Sequence, residues 1–123
     1  MSVNVLERIP DNVIKAIRRL IECLLENGFH IEKIFLFGSY AKGTWLKTSD
    51  IDLVIVSSDF QNIPFKERLD LINKIVFKEN IIPYIEVLPY TPDEFSRKIK
   101  ESIVLRDASR YWIDLTSIIL STK

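Results

Sequence analysis

Three groups of side chains in this 123-residue chain are of the right types and spacings to do chemistry together. Asp50 and Asp52 stand one residue apart at the head of the apolar run Leu53 to Val56. On a strand, residues i and i+2 point to the same face, so both carboxylates could bind one hard cation. Held close without a cation or hydrogen bonds, they would raise each other's pKa and lose hydration. The plainer alternative makes Asp50 a turn acid and Asp52 a strand-start residue. Gly38 and Ser39 end an earlier apolar run. A glycine lets backbone amides approach an anion and a following hydroxyl can donate to a phosphate oxygen, although the same dipeptide also makes ordinary turns. Gly43 keeps that segment compact, and Lys42 offers a cation near where a triphosphate would lie, unless it and Lys47 are simply solvated. Glu86, between Ile85 and Val87, needs a partner such as a metal if its strand is buried, and could face water if the strand is an edge.

These groups need elements to carry them. Apolar residues from Val13 to Leu25 recur at helical spacing after Pro10 and stop at Gly28, predicting an amphipathic helix. Ile31 to Phe37 reads as a first strand, and residues 38–49 as a loop or short helix. A second strand is expected over Ile51 to Ser57, central in its sheet because it is apolar on both faces. A helix follows over Pro64 to Lys78 with Pro64 as its first residue, then a strand over Tyr84 to Leu88 that puts Tyr84, Glu86 and Leu88 on one face. Thr91, Pro92 and Glu94 make a capping box for a helix running to about Ser102. A last helix is expected from Ala108 to about Leu120, its stripe of Tyr111, Trp112, Leu115 and Ile119 either closing the core or forming a partner surface. Strands alternating with helices predict an α/β layer arrangement that gathers ligand groups at strand ends.

Composition narrows the possibilities. The length suits one domain, residues 1–123. Seventeen basic residues balance seventeen acidic ones, so no net field favours nucleic acid or an anionic membrane. No apolar run approaches the roughly 20 residues of a membrane span, which suggests a cytoplasmic protein. A single cysteine, Cys23, and a single histidine, His30, exclude an internal disulfide and provide too few soft ligands for structural zinc, so any metal must sit on oxygen. Cys23 reads as a small buried or half-buried helical residue and His30 as a surface turn residue.

The combined pattern of Gly38-Ser39, ten intervening residues, Asp50-Ile51-Asp52, and an acid inside the later Ile85-Glu86-Val87 resembles the DNA polymerase beta-like nucleotidyltransferase superfamily. The short chain is similar to its stand-alone minimal nucleotidyltransferases, many of which act as antitoxins beside a HEPN-domain ribonuclease toxin. The resemblance covers about residues 11–102. It implies a small mixed β-sheet flanked by helices and transfer of AMP from ATP to a toxin tyrosine. By the same resemblance, Asp50, Asp52 and Glu86 would hold two magnesium ions as the catalytic carboxylates, Glu86 also helping to deprotonate the acceptor hydroxyl, and Gly38, Ser39, Lys42 and Gly43 would cradle the nucleotide. A hetero-oligomer with the HEPN toxin is the implied assembly. Lys42 stands where the family often has arginine and Glu86 where aspartate is common. A domain of this fold that neutralises its partner by contact alone is the alternative.

Overall fold

The computed structural model describes residues 5–121. A short helix α1 (Val5–Arg8) leads into α2 (Asp11–Glu26), whose first turn hangs on the Pro10 carbonyl, which accepts from the amides of Val13 and Ile14. Val13, Ile17, Leu20 and Leu24 fall on one stripe of α2 and are fully buried. The helix ends where Asn27 turns its side-chain amide onto the Cys23 carbonyl at 2.7 Å. Gly28 then takes φ +91°, a left-handed turn that side chains disfavour. Strand β1 (Lys33–Phe37) starts two residues later than the β-rich run suggests, and α3 (Gly38–Lys42) follows at once.

Strand β2 (Ile51–Val56), helix α4 (Phe65–Lys78), strand β3 (Ile85–Tyr90) and helix α5 (Pro92–Glu101) come next. Pro64 precedes α4 as its cap and is not its first residue, because its ψ of 145° is extended. The sheet order is β3-β2-β1-β4, so β2 is central as expected and β3 lies at an edge. β1 and β2 are antiparallel while β2 and β3 are parallel, which makes the sheet mixed. Alternation along the strands divides the core in two. Ile34, Leu36, Ile51, Leu53, Ile55, Ile85 and Val87 pack against α2 and α4. Phe35, Val54, Val56 and Tyr90 form the other face with Leu105. At about 25 cal/mol per Å² of apolar surface, these layers are the main stabilising force on the sheet.

The end of the chain departs from the single helix expected over residues 108–120. It divides into α6 (Ile103–Ala108), a two-residue strand β4 (Ile113–Asp114) and α7 (Thr116–Leu120). The helical period was outweighed by the open edge of β1, which β4 pairs antiparallel, Ile113 opposite Leu36. Around that pairing the Leu115 amide donates to the Ile34 carbonyl at 2.8 Å, and the Ile34 amide donates to Thr116 Oγ1 at 2.9 Å. The stripe is used internally: Leu115 and Ile119 are buried, and Trp112 stacks on Phe35 with ring centroids 4.4 Å apart. Ile119 therefore closes the core, and the half-buried Trp112 covers Phe35. Among the described residues no helix is long and apolar enough to cross a membrane.

One buried cation ties α4, β3 and α5 together. Arg68 is 3% exposed and donates to the carbonyls of Ile63 (2.8 Å) and Pro89 (3.0 Å) and to both carboxylate oxygens of Glu94 (2.6 and 3.1 Å). Glu94 also completes the capping box, accepting from the Thr91 amide while its own amide donates to Thr91 Oγ1. Chiefly through the Arg68 hydrogen bonds, the Glu94 carboxyl is held down from 4.5 to about 2. A carboxyl depressed on folding stabilises the native state above its unfolded pKa and loses that contribution as pH falls through its folded pKa. Glu94→Gln should therefore cost about 2 kcal/mol near neutral pH, allowing for screening of the partly exposed carboxylate. The gap to wild type should close between about pH 4.5 and 2. Denaturant melts of both proteins across that range measure it.

Candidate active site

The strand registers assemble the site. Parallel pairing sets Asp52 opposite Glu86, and antiparallel pairing sets Phe37 opposite Asp52. Gly38, the next residue along from Phe37, is thereby delivered to the side of Asp52. A Cβ built on Gly38 would lie 2.1 Å from Asp52 Oδ2, well inside contact, and Gly38 has φ +71°. Only glycine fits there on both counts.

Asp52 is half-buried and Glu86 exposed, at the mouth of the same cleft. The Asp52 carboxyl is pushed up from 3.8 to about 6, first by burial, then by the charge of Glu86 and a hydrogen bond shared with it, and last by Asp50. Two acids side by side cannot both ionise freely, so this geometry favours a proton or a cation between them. Asp50 is exposed and lies just before β2, outside its pleat. Its charge reaches Asp52, yet among the described residues no three acidic, histidine or cysteine side chains gather closely enough to hold a metal ion.

The loop between α3 and β2 is fixed from α3. Tyr40 is buried, its hydroxyl donating to the Ser49 carbonyl at 3.4 Å, and Ser49 Oγ accepts from the Leu46 amide at 2.9 Å. The Ser39 carbonyl accepts from the amides of Gly43 and Thr44, and Gly43, at φ +83°, ends the helix. Ser39 is half-buried beside Gly38. Lys42 is exposed, and its ammonium sits 4.7 Å over the Tyr111 ring. Thus Gly38, Asp52 and Glu86 are brought together, Ser39 adjoins them, and Asp50 stands beside them. Lys42 and Gly43 lie at the far end of α3.

The acid pair opens into a cleft of about 460 Å³. Glu86 and Leu88 line it as the alternation of β3 implies, with Tyr84 from just before that strand and Phe37 and Asp52 from β1 and β2. Its other wall comes from α4, where Phe65, Leu69, Ile72 and Asn73 face in, and Asn73 Oδ1 accepts from the Tyr84 hydroxyl at 2.6 Å. Sequence reasoning did not assign Phe37, Phe65 or Asn73 to the site. The one available signal was Asn73 itself, a polar residue interrupting the apolar stripe of α4. For a metal, the donors fit a hard divalent ion: two carboxylates that repel each other, next to a turn with no Cβ. Magnesium commonly binds one or two carboxylates and completes its shell with substrate phosphate and water.

The family model for the nucleotidyltransferase domain matches residues 17–108, three quarters of the chain. A Methanocaldococcus jannaschii protein bearing the name "Putative protein adenylyltransferase" is 34% identical over 89 residues, covering 72% of this chain and 83% of that one. A second protein of that organism with the same description is 43% identical over 60 residues, 48% of this chain and 59% of its own. Among solved structures, a protein from Sulfolobus solfataricus described as a "putative nucleotidyltransferase" superposes with TM-score 0.55 at 20% identity, covering 79% of this chain and 82% of that one. With that family model matched over three quarters of its length, the chain belongs to the nucleotidyltransferase domain family.

Proposed function

We propose that this nucleotidyltransferase moves AMP from ATP to a hydroxyl of a protein, and that it serves as a cytoplasmic antitoxin modifying a tyrosine of a HEPN-domain toxin. The observation that carries the transfer reading is the Asp52 and Glu86 pair opposed across β2 and β3 with Gly38 against Asp52. The protein-acceptor reading draws support from the description of the Methanocaldococcus jannaschii relatives, and the toxin from the motif's resemblance to minimal nucleotidyltransferases.

In this reading Asp52 and Glu86, with Asp50 beside them, would hold two magnesium ions. Bound there, magnesium would neutralise triphosphate charge and favour the ionised acceptor oxygen. Gly38 and Ser39 present backbone and hydroxyl donors to the triphosphate, with Lys42 and Gly43 completing the segment behind them. The acceptor oxygen attacks the α-phosphorus, the bond to pyrophosphate breaks, and the hydroxyl proton passes to Glu86 at the cleft mouth. The half-buried setting of Asp52 strengthens every charge interaction there relative to water.

Removing one charge of the pair should abolish most transfer while sparing the fold. Asp52→Asn is expected to lower the transfer rate at least about 100-fold, with no fall in melting temperature because a like-charge contact is relieved. The assay follows α-labelled ATP with magnesium onto the product of the neighbouring gene, with mass spectrometry locating the adenylyl group. A stable complex with no adenylyl mass in wild type would instead favour neutralisation by contact.

Gly38 tests the cradle. Gly38→Ala should cost more than about 1 kcal/mol of stability through its positive φ and displace the Asp52 carboxylate, bringing activity down with it. Gly28→Ala, at φ +91° with nothing within 4 Å of its Cβ position, should show the strain alone and keep full activity. Melts and rates of the two variants side by side make the comparison.

A further inference from the structure

The active-site cleft does not end at the acid pair. A second cleft of about 460 Å³ continues along β3, sharing Phe65 and Leu88 with the first and reaching Tyr90, Arg97 and Lys98. The β3 side chains that face this way, Glu86, Leu88 and Tyr90, form one row along the sheet edge. Phe65 lies tilted beside Tyr90, ring centroids 5.8 Å apart, giving the far half an apolar floor. At its end the charge turns positive. Arg97 and Lys98 are exposed, and Glu94, the acid that lines the same cleft, is already committed to Arg68. Asp93 lines a separate polar cleft on the other side of Arg97.

We propose that the acceptor polypeptide lies extended in this groove, an apolar side chain on Phe65 and Leu88 and an acidic side chain against Arg97 and Lys98. The inference rests on the protein-acceptor reading above and adds to it the sequence chemistry around the modified hydroxyl. Recognition is by side chains and not by strand addition. Pro89 has no amide to offer a new strand, and its carbonyl already accepts from Arg68. The groove also sets a spacing. From Glu86 to Tyr90 an extended chain advances roughly 13 Å at ~3.3 Å per residue, so the acid belongs about four residues from the hydroxyl that enters at the acid pair. Two cations at the rim would draw such a segment in and reject a basic one.

The test measures binding directly on the full chain. A fluorescent synthetic peptide with a central tyrosine, a neighbouring leucine and glutamates about four residues to either side is titrated by anisotropy at low salt, beside a twin with lysines for glutamates. The glutamate peptide should bind wild type at least about tenfold more tightly than the lysine twin. The Arg97→Glu, Lys98→Glu double variant should lose that preference, while Lys15→Glu on α2 keeps it; a melt confirms that the double variant is folded. Equal binding of the two peptides, no binding of either, or an undiminished preference in the folded double variant would overturn the proposal. Binding needs no transfer, so a wild type that selects the acidic peptide yet adenylylates no protein would sink the transfer reading and leave the groove standing.

Discussion

The molecule is organised around the register between β2 and its two neighbours. Shifting either pairing by one residue would turn Asp52 from the cleft face to the helix-packed face, because side chains alternate along a strand. The register is held by the residues that alternate with the acids. Ile51, Leu53 and Ile55 are buried against α2 and α4, and their partners Ile85 and Val87 are buried beside them. Burial of that apolar face therefore fixes where the carboxylates point. The chemistry of the site is set by packing on the opposite side of the sheet.

That arrangement sacrifices local stability. Asp52 is half-buried beside a like charge, and Gly38 sits in a left-handed conformation against it. Natural sites often retain such unfavourable contacts because binding a cation or substrate relieves them. The rest of the fold compensates with two apolar layers and with the Arg68 clamp, which fastens α5 to the end of β3 and so secures the strand that carries Glu86.

Much of this was legible in the sequence for physical reasons. Asp52 and Glu86 interrupt strong β patterns with charged groups that such patterns exclude, Gly38 ends one, and the capping box at Thr91 has a local signature. Other features depend on distant partners. Nothing near Arg68 signals that it will be buried, since its acceptors come from a loop, from β3 and from α5. The segment after Ala108 has a helical period, but its conformation is decided by the vacant edge of β1, a tertiary demand that a periodicity cannot register. Asp50 shares the i, i+2 spacing with Asp52, yet the strand begins only at Ile51, so the common face expected of the pair is not formed by the backbone there. Lys42 is adjacent in sequence to the glycine turn but one helical turn removes it to the Tyr111 ring.

The central claim is that Gly38 and Asp52 act as one unit at the reacting centre. A double-mutant cycle on the transfer rate, with Gly38→Ala, Asp52→Asn and the two combined, tests it most directly. If Gly38 serves by leaving room for the Asp52 carboxylate, the double variant should be no slower than the slower single one. If the two losses multiply, the residues contribute independently and the account of the site is wrong.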